Sequence, residues 1–518
     1  METAETTTHA PRAARSGRQA RQEERSHKGA GHGRPYILRN IPTYDVLSED
    51  NLIRIEAAAD RILAETGIEF RDDPVALDHW RRAGAEVRDQ LVKFPPGLLR
   101  EVLKTAPASF TQHARNPANS VQIGGKSVVF APAYGSPFVM DLDNGRRFGT
   151  LEDFVNFIKL AQHSPWFHHS GGTICEPTDV PVNKRHLDMV LSHLTYSDRC
   201  FMGSVTAESR AEDSIEMARI VFGRDFVGAN CVILGNVNVN SPLVWDATMT
   251  TSLRAYARAN QAAVIVPFIL GGAMGPVTTA GAIAQSLAET MAGCALTQLE
   301  RPGAPVIFGN FLSSMSLRSG SPTFGTPEPA IGSMVIGQLA RRLNLPLRCS
   351  GNFTTSKLPD GQAMMEGTMS MLAAIQCGAN FILHSAGFLD GLLSMSYEKF
   401  MLDADLCGAL HTYLDGVKID DNQLAVDAFA EVGPGNHFFG CSHTMANYQT
   451  AFYDSALSDN EPFEKWEAAG STDAATRANK AWKLALAEYQ KPALDEGIAE
   501  GLHDFVARTK AAMPDAWY

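Results

Sequence analysis

Apolar residues form a repeating pattern over the middle of the chain. Helix-length segments alternate there with short runs rich in Val, Ile and Phe, and successive runs begin 31 to 42 residues apart. Such runs are typical of buried parallel strands, and their alternation with helices indicates βα units. The runs begin near Val128, Phe167, Cys200, Cys231, Ala263, Pro305, Leu345 and Phe381. Eight units, with a last helix over Tyr397–Tyr413, predict an α/β fold, a (β/α)8 TIM barrel.

A doubly wound open sheet is the competing arrangement for such a pattern. Sheets of that kind usually have fewer strands, and a glycine-rich turn follows their first strand. No turn of that composition follows the run at Val128. The barrel is therefore the favoured prediction.

The pattern changes before the barrel. Ser48 is suited to cap a helix whose apolar residues, from Leu52 to Leu63, share one face, and Gly67 suits its C-terminal end. Two shorter helical patterns follow, over 75–82 and 96–105. Closer to the barrel, the pair Asn144-Gly145 lies between two β-like stretches and predicts a hairpin with a type I′ turn.

These changes divide the chain into four parts. We predict a disordered basic leader over 1–34, an N-terminal helical layer over 35–119, the barrel over 120–418 and a C-terminal loop and helical extension over 419–518. The extension includes a long helix near Ala475–Lys510.

Charge and composition remove several classes of protein. The formal net charge is −12; the first 34 residues carry +3, so the remainder carries −15. A body this acidic is unsuited to nucleic acid, because phosphate binding needs clustered cations. No run approaches the roughly 18 apolar residues of a membrane span, and the N-terminus lacks the apolar segment of a secretory signal. Eight scattered cysteines without a CxxC pair favour free thiols. We expect a soluble, cytoplasmic protein.

The C-terminal ends of barrel strands form the mouth, where the active site of this fold lies. Glycines, amides and aromatic residues dominate there, and the paired carboxylates of a glycosidase and the lysine of a Schiff-base aldolase are missing. His437, Cys441 and His443 match no standard zinc spacing, so we predict no metal site. Aromatic faces and neutral amides suit a small cation held by cation–π contacts.

Ten residues at or near these ends are candidates for substrate binding. The aromatic ones would hold a cationic head and the asparagines would set its orientation, although each aromatic residue could equally be part of an ordinary core. The ten are Tyr134, Asn236, Asn238, Asn310, Phe311, Phe324, Asn352, Phe353, His384 and Arg348. No single catalytic residue stands out.

Several long stretches resemble the trimethylamine methyltransferase family, and the resemblance runs from about residue 36 to the C-terminus. They are GGTICEPTDVPVNKRHLDMVL, NVNVNSPL, PFILGGAMGPVTTAGAIAQSLAE, GNFTTSKLPDGQA, LHSAGFLDGLLSMSYEKFMLDADLC and VGPGNHFFGCSHT. The resemblance implies a TIM barrel that moves a methyl group from a methylated amine to cobalt(I) of a corrinoid on a separate small protein. This chain has no D-x-H-x-x-G sequence for binding a corrinoid, so we expect no cofactor bound by the chain itself.

One departure from the family pattern bears on the substrate. Members specific for trimethylamine carry pyrrolysine, whereas every residue here is a standard one. Members without pyrrolysine are associated with quaternary amines, so the resemblance implies glycine betaine or a related betaine. His384 and Arg348 would then bind a substrate carboxylate, although Arg348 could instead belong to a structural ion pair.

Two other functions stay open at this point, a non-catalytic betaine- or methylamine-binding protein or sensor, and a barrel lyase or hydrolase unrelated to cobalt. A homo-oligomer is also possible, because barrels of this size often associate.

Overall fold

The computed structural model describes residues 33–517, so the predicted leader lies outside the described residues up to position 32. Arg34, which the prediction places in the leader, donates two hydrogen bonds to the Asp415 carboxylate.

The N-terminal layer contains the predicted helices and also short strands. Its elements are β1 (Ile37–Leu38), α1 (Glu49–Arg61), β2 (Ile68–Phe70), α2 (Pro74–Ala83), β3 (Glu86–Arg88), β4 (Leu91–Lys93) and α3 (Leu98–Leu103). A π-helical turn over Ile62–Thr66 continues α1 to Gly67. The layer packs through aromatic side chains, because the Trp80 ring lies 5.4 Å from that of Phe70 and 4.9 Å from that of Phe94.

One hairpin lies between this layer and the first barrel strand, and a second hairpin follows that strand. The elements are β5 (Ser109–Gln112), β6 (Val121–Gly124), β7 (Ser127–Phe130), β8 (Phe138–Asp141) and β9 (Gly145–Phe148). The predicted hairpin at Asn144-Gly145 is confirmed, but its type I′ turn is wrong. Asp141 pairs with Gly145, so the loop has three residues, and Gly145 takes a left-handed φ of 67°. The Asp141 carboxylate accepts hydrogen bonds from the backbone N–H groups of Asp143 and Asn144, which stabilises this longer loop.

The remaining strands and helices build the barrel and its rim. The strands are β10 (Phe201–Gly203), β11 (Ile233–Val239), β12 (Val244–Trp245), β13 (Ala262–Gly271), β14 (Val306–Gly309), β15 (Phe311–Met315), β16 (Pro322–Thr323), β17 (Leu347–Ser350), β18 (Phe381–Leu383), β19 (Phe388–Leu389) and β20 (Ser394–Ser396). The helices are α4 (Leu151–His163), α5 (Arg185–Tyr196), α6 (Glu208–Phe222), α7 (Arg224–Ala229), α8 (Ala247–Arg258), α9 (Thr279–Glu300), α10 (Pro327–Arg342), α11 (Gly361–Gln376) and α12 (Tyr397–Asp415).

The predicted barrel is confirmed, and it closes. Seven of its strands, β7, β10, β11, β13, β14, β17 and β18, are parallel, and β18 pairs back with β7. The second position is an extended segment over 167–171. There the His168 N–H donates to the Phe130 carbonyl and the Ser170 N–H donates to the Cys200 carbonyl. All eight predicted runs thus occupy consecutive positions around one cylinder.

Side chains on alternate positions of the strands face the barrel interior or the surrounding helices. The inward residues form one apolar cluster that includes Val129, Ala131, Cys200, Met202, Leu234, Ala262, Val264, Val266, Ile307, Phe381 and Leu383. The outward residues join the larger core under the helices. This alternation shows which polar residues of each strand lie inside.

The C-terminal extension consists of short helices followed by two longer ones. They are α13 (Asp421–Leu424), α14 (Val426–Val432), α15 (Ser442–Asn447), α16 (Phe463–Ala468), α17 (Ala474–Glu488) and α18 (Glu496–Ala511). The single long helix predicted near Ala475–Lys510 is therefore wrong. Pro492 lies between α17 and α18, where its missing N–H and its ring are incompatible with a helix interior. Within 33–517, no helix is both long and apolar enough to span a membrane.

Candidate functional site

Strand β17 turns a charged side chain into the barrel. Leu347 and Cys349 belong to the outer core, so the intervening Arg348 and the following Ser350 face inward. Arg348 is 1% exposed, which is unusual for a group that keeps its charge near neutral pH. The interior of the mouth therefore contains a guanidinium group.

The partners of this guanidinium are neutral. One terminal nitrogen donates to the Asn310 carbonyl at 2.7 Å, and the other lies 3.2 Å from His384 Nδ1. Its Nε has no hydrogen-bond partner, and no Asp or Glu of residues 33–517 forms a salt bridge with it. Burial lowers the pKa of Arg348 to about 10, so the group stays charged at neutral pH. The structural ion pair considered for Arg348 is absent from the described part of the chain.

His384 follows β18 with a left-handed φ of 65° and is almost fully buried. Burial, and secondarily the Arg348 charge, holds the pKa of this imidazole well below its usual value, so the ring is neutral. Its Nδ1 faces the Arg348 donors and lies 3.2 Å from Ser350 Oγ. Nδ1 therefore accepts, and the ring proton is assigned to Nε2.

Three of the predicted aromatic residues lie together beside this pair. The Phe311 and Phe353 rings stack 5.1 Å apart, and the Phe324 ring lies 5.2 Å from Phe353. The Phe353 ring also lies 4.9 Å from His384, while the Arg348 guanidinium is positioned over Phe311, 5.4 Å from its centroid. The structure thus brings five of the ten predicted residues into one cluster, which we call the Phe–Arg cluster.

Sequence reasoning missed two further rings of this cluster. The Phe268 ring lies 4.7 Å from Phe311, and the Phe388 ring lies 4.9 Å from His384. Phe268 lies in the apolar run of β13, one residue after Pro267, and Phe388 follows Gly387 beyond β18. The position of Phe388 just beyond a strand body is the same signal that identified Phe311 and would have found it, whereas Phe268 lies within β13 and carries no such signal.

The loop that carries Phe353 is held by a residue that sequence reasoning also missed. The Glu366 carboxylate, on α11, accepts hydrogen bonds from Thr354 Oγ1 at 2.7 Å and from the Thr355 N–H at 2.8 Å. A Cβ at Gly325 would overlap Glu366, so the segment after β16 packs tightly on the same side chain. No motif marks this role, because it depends on a contact between a loop and the helix after it.

The four predicted asparagines divide into two pairs. Asn236 and Asn238 share the inward face of β11 with Leu234, and the amide of Asn236 donates to Asn238 Oδ1 at 3.5 Å. The Oδ1 atom of Asn236 is buried and has no hydrogen-bond partner within residues 33–517. An acceptor oxygen without a donor gives this wall of the interior a partial negative charge.

Asn310 and Asn352 point elsewhere. The Asn310 amide donates to Ser333 Oγ on α10 at 2.9 Å, and its oxygen accepts from the Leu312 N–H. The Asn352 amide donates to the Ser385 carbonyl, and its oxygen lies toward Gly367 of α11. Both side chains therefore connect strand ends to neighbouring elements rather than joining the Phe–Arg cluster.

Tyr134 follows the first barrel strand and packs on the segment at the second strand position, apart from the Phe–Arg cluster. Its ring packs on Gly172, where a Cβ would come within 2.7 Å of a ring carbon, so only glycine permits this approach. Burial raises the pKa of the Tyr134 hydroxyl to about 12, so the residue is neutral. The ring also packs against the interior cluster of the barrel.

The side chains of His443 and Cys441 bond to neighbours within the C-terminal extension. His443 Nε2 lies 2.7 Å from the Asn422 carbonyl, and Cys441 Sγ accepts from the Thr444 N–H. Over residues 33–517, no group of three or more His, Cys, Asp or Glu side chains is arranged to hold a metal ion.

Comparison with known proteins agrees with this architecture. The family described as trimethylamine methyltransferase matches residues 14–514. A glycine betaine methyltransferase of Desulfitobacterium hafniense strain Y51 is 42% identical over 469 residues, which cover 90% of this chain and 98% of the relative. A proline betaine:corrinoid methyltransferase of Eubacterium limosum is 28% identical over 73% of this chain and 80% of its own length.

More distant relatives extend the comparison. A trimethylamine methyltransferase of Desulfitobacterium hafniense is 26% identical over 89% of this chain and 93% of its own length. The crystal structure of the Methanosarcina barkeri monomethylamine methyltransferase superimposes with a TM-score of 0.52, covering 91% of this chain and 93% of that one. Its sequence identity of 10% supports a shared fold alone.

Proposed function

This chain belongs to the trimethylamine methyltransferase family and is a methyltransferase, and from that premise we propose that its methyl donor is a betaine, with glycine betaine as the best candidate. The acceptor in this proposal is cobalt(I) of a corrinoid carried by a separate small protein. The similarity to a glycine betaine methyltransferase at 42% identity, against 26% for a trimethylamine methyltransferase, supports this choice of donor.

The unpaired guanidinium of Arg348 is the observation that carries the proposal. A betaine has a quaternary ammonium group at one end and a carboxylate at the other, whereas trimethylamine has no carboxylate. Arg348 is a buried cation without a carboxylate partner in the described chain, and its Nε lacks an acceptor. A substrate carboxylate would supply both, because arginine binds carboxylates with two parallel hydrogen bonds.

The rings beside Arg348 suit the other end of a betaine. Phe311, Phe353 and Phe324 form adjacent walls, and aromatic faces attract quaternary ammonium groups through their quadrupole. We assign the cationic head to these rings and, across the interior, to the free amide oxygen of Asn236.

The chemistry of a quaternary donor matches a mouth without an acid–base pair. When the methyl carbon bonds to cobalt, its bond to nitrogen breaks and the electron pair stays on nitrogen. The product is a neutral tertiary amine, so no proton has to be donated. The barrel must then hold the cation, align nitrogen, methyl carbon and cobalt, and exclude water. His384, neutral and facing Arg348, orients the guanidinium without competing for the carboxylate.

The test is methyl transfer to a reduced corrinoid protein, followed by the absorbance change from cobalt(I) to methyl-cobalt. We expect turnover with glycine betaine and at least tenfold lower kcat/KM with choline, which has the same trimethylammonium group but a hydroxyl in place of the carboxylate. Tetramethylammonium and trimethylamine complete the panel. Absence of methyl-cobalt with every amine would refute the proposal. Calorimetric binding of glycine betaine without any turnover would instead support the binding-protein or sensor alternative.

A further inference from the structure

A long segment of the C-terminal extension stands away from the body of the protein. Residues 416–452, which we call the arm, begin after the last turn of α12 and end where the Tyr453 hydroxyl bonds to the Asp405 side chain at 2.9 Å. Within the arm only Ala428 and Cys441 are buried. Its helices α13, α14 and α15 have four to seven residues each.

The arm is nevertheless rich in apolar side chains. Phe439 and Phe452 are 86% and 87% exposed, and Phe429 and Tyr448 are 63% and 57% exposed. Other large apolar side chains of the arm are also exposed, namely Val417, Ile419, Leu424, Val426, Phe438 and Met445. Exposed apolar residues scattered singly are normal, but a contiguous segment of this kind marks an interaction surface.

We propose that the arm is the interface between two copies of this chain. At about 200 Å² for a fully exposed aromatic side chain, Phe429, Phe439, Tyr448 and Phe452 alone offer roughly 600 Å² of apolar area. A stable interface needs about 800 Å² per partner, so the arm with its aliphatic residues is sufficient in size. Phenylalanine, tyrosine and methionine are also the residues enriched in the cores of such interfaces.

The position of the arm distinguishes a second copy from the methyl acceptor. α12 starts beside β20 at the mouth and runs to the opposite end of the barrel, where the Leu414 carbonyl accepts from the Asn40 N–H. Asn40 follows β1, which pairs with the start of β7. The arm therefore leaves from the end of the barrel farthest from the mouth, whereas an acceptor must reach the mouth. A two-fold arrangement would use both arms and close the assembly.

Sedimentation velocity of the full chain tests this proposal. We expect the natural protein to sediment at twice the 56.1 kDa chain mass or a higher even multiple. The double variant Phe439→Ser/Phe452→Ser should sediment as a 56.1 kDa monomer with an unchanged far-UV CD spectrum. The matched control Ile53→Ser/Val75→Ser removes two exposed apolar side chains from the N-terminal layer and should keep the mass of the natural protein.

Cross-linking keeps the test valid if the double variant folds poorly. The eight natural cysteines are buried, so Phe439→Cys treated with a short bismaleimide should give a covalent dimer, and Leu317→Cys, near the mouth, should not. A monomeric natural protein, or a double variant that keeps its mass, would overturn the proposal. If the natural protein is monomeric and the double variant loses binding of a reduced corrinoid protein, the arm serves the acceptor instead. Methyl transfer measured on the same samples reports separately on the proposed function.

Discussion

At the scale of single residues, Arg348 is a costly feature of the barrel. A charged group taken out of water without an ionic partner is destabilising, and burial lowers the pKa of Arg348 to about 10. Buried groups with such shifts occur mainly at functional sites. The residues around it, His384 and the Asn310 carbonyl, provide hydrogen bonds but no compensating charge.

Replacement of Arg348 by methionine tests its role in carboxylate binding. Methionine fills a similar volume without charge, so we expect an unchanged or higher melting temperature. The Kd for glycine betaine should rise about 10- to 100-fold, since hydrogen bonds to charged groups contribute about 1.5–3 kcal/mol. The Kd for tetramethylammonium, which has no carboxylate, should change less than threefold. Calorimetry with both ligands gives the comparison; equal weakening for both would argue against a carboxylate contact.

Replacement of Phe353 by leucine tests recognition of the cation. The change keeps an apolar side chain but removes the ring face, so glycine betaine should bind about 3- to 30-fold more weakly, as expected for a cation–π contact of about 0.5–2 kcal/mol. The matched probe is 3,3-dimethylbutyrate, which has the shape and carboxylate of glycine betaine with carbon in place of the charged nitrogen. Competition binding should show no comparable loss for this probe, and a similar loss would mean that the ring acts through shape alone.

At the scale of elements, the mouth is positioned by contacts between loops and the helices that follow them. Glu366 on α11 is the main example, because it accepts hydrogen bonds from two consecutive residues of the loop that carries Phe353. The buried pair Lys399–Asp403 on α12 acts similarly, since Asp403 accepts from the Gly387 N–H beyond His384. These carboxylates do not belong to the Phe–Arg cluster, but they determine where its rings lie.

Replacement of Glu366 by glutamine should loosen the loop without creating a cavity. Both loop bonds end on Oε2 and the Gln362 side chain donates to Oε1, so the single amide oxygen of glutamine cannot serve all three donors. The bonds that remain also lose the charge of the carboxylate, at a total cost of about 1–3 kcal/mol. We expect a lower melting temperature and a larger fall in kcat than in the affinity for glycine betaine, because alignment suffers more than binding. The control Glu101→Gln, at an exposed surface pair on α3, should change neither quantity. A fall in stability with unchanged kcat would show that Glu366 has a structural role only.

At the scale of the whole molecule, buried neutral histidines make stability depend on pH. Burial is the main cause that lowers the pKa values of five histidines. It lowers those of His193 and His411 to about 4 and also lowers those of His168, His169 and His384. In the unfolded chain these groups titrate near 6.5. Between about pH 6.5 and 4 the unfolded state therefore binds more protons than the folded state, and each histidine lowers stability by up to about 1.4 kcal/mol per pH unit.

Buried carboxyls with raised pKa values act in the opposite direction. Burial raises the pKa of Asp403 to about 6 and also raises those of Glu176 and Glu289, so these groups take up protons more readily when folded. They are fewer than the histidines. We expect the melting temperature to change little between about pH 7 and 8 and to fall steeply from pH 6.5 to 4.5, as measured by scanning calorimetry at constant ionic strength. A melting temperature that does not change over this range would contradict the assignment of neutral histidines.

Local sequence patterns determined the number and order of the barrel elements. The spacing of apolar residues within each run and each helical segment indicates which of its residues are buried. The spacing of Thr150 and Asp153 likewise predicts the capping box that the structure contains. Phe311 and Phe353 can also be identified from the sequence, because they come shortly after the apolar runs of the barrel strands β14 and β17, whereas Phe324 follows the rim strand β16. The break at Pro492 follows from the same local rules, because proline is incompatible with a helix interior.

Only the tertiary structure decided how the candidate residues are used. Asn236 lies within β11 and Asn310 directly follows β14, yet the sequence pattern predicts both as strand-end amides. One faces the interior and the other bonds to a helix, because strand register and helix packing are set by residues distant in the chain. Whether Arg348 has a counter-ion within residues 33–517, and how far the arm is exposed, likewise depend on which residues are neighbours in space. A sequence pattern reports what each residue prefers, whereas closure of the barrel determines which of these preferences are met within residues 33–517 and which, as for the charge of Arg348, are not.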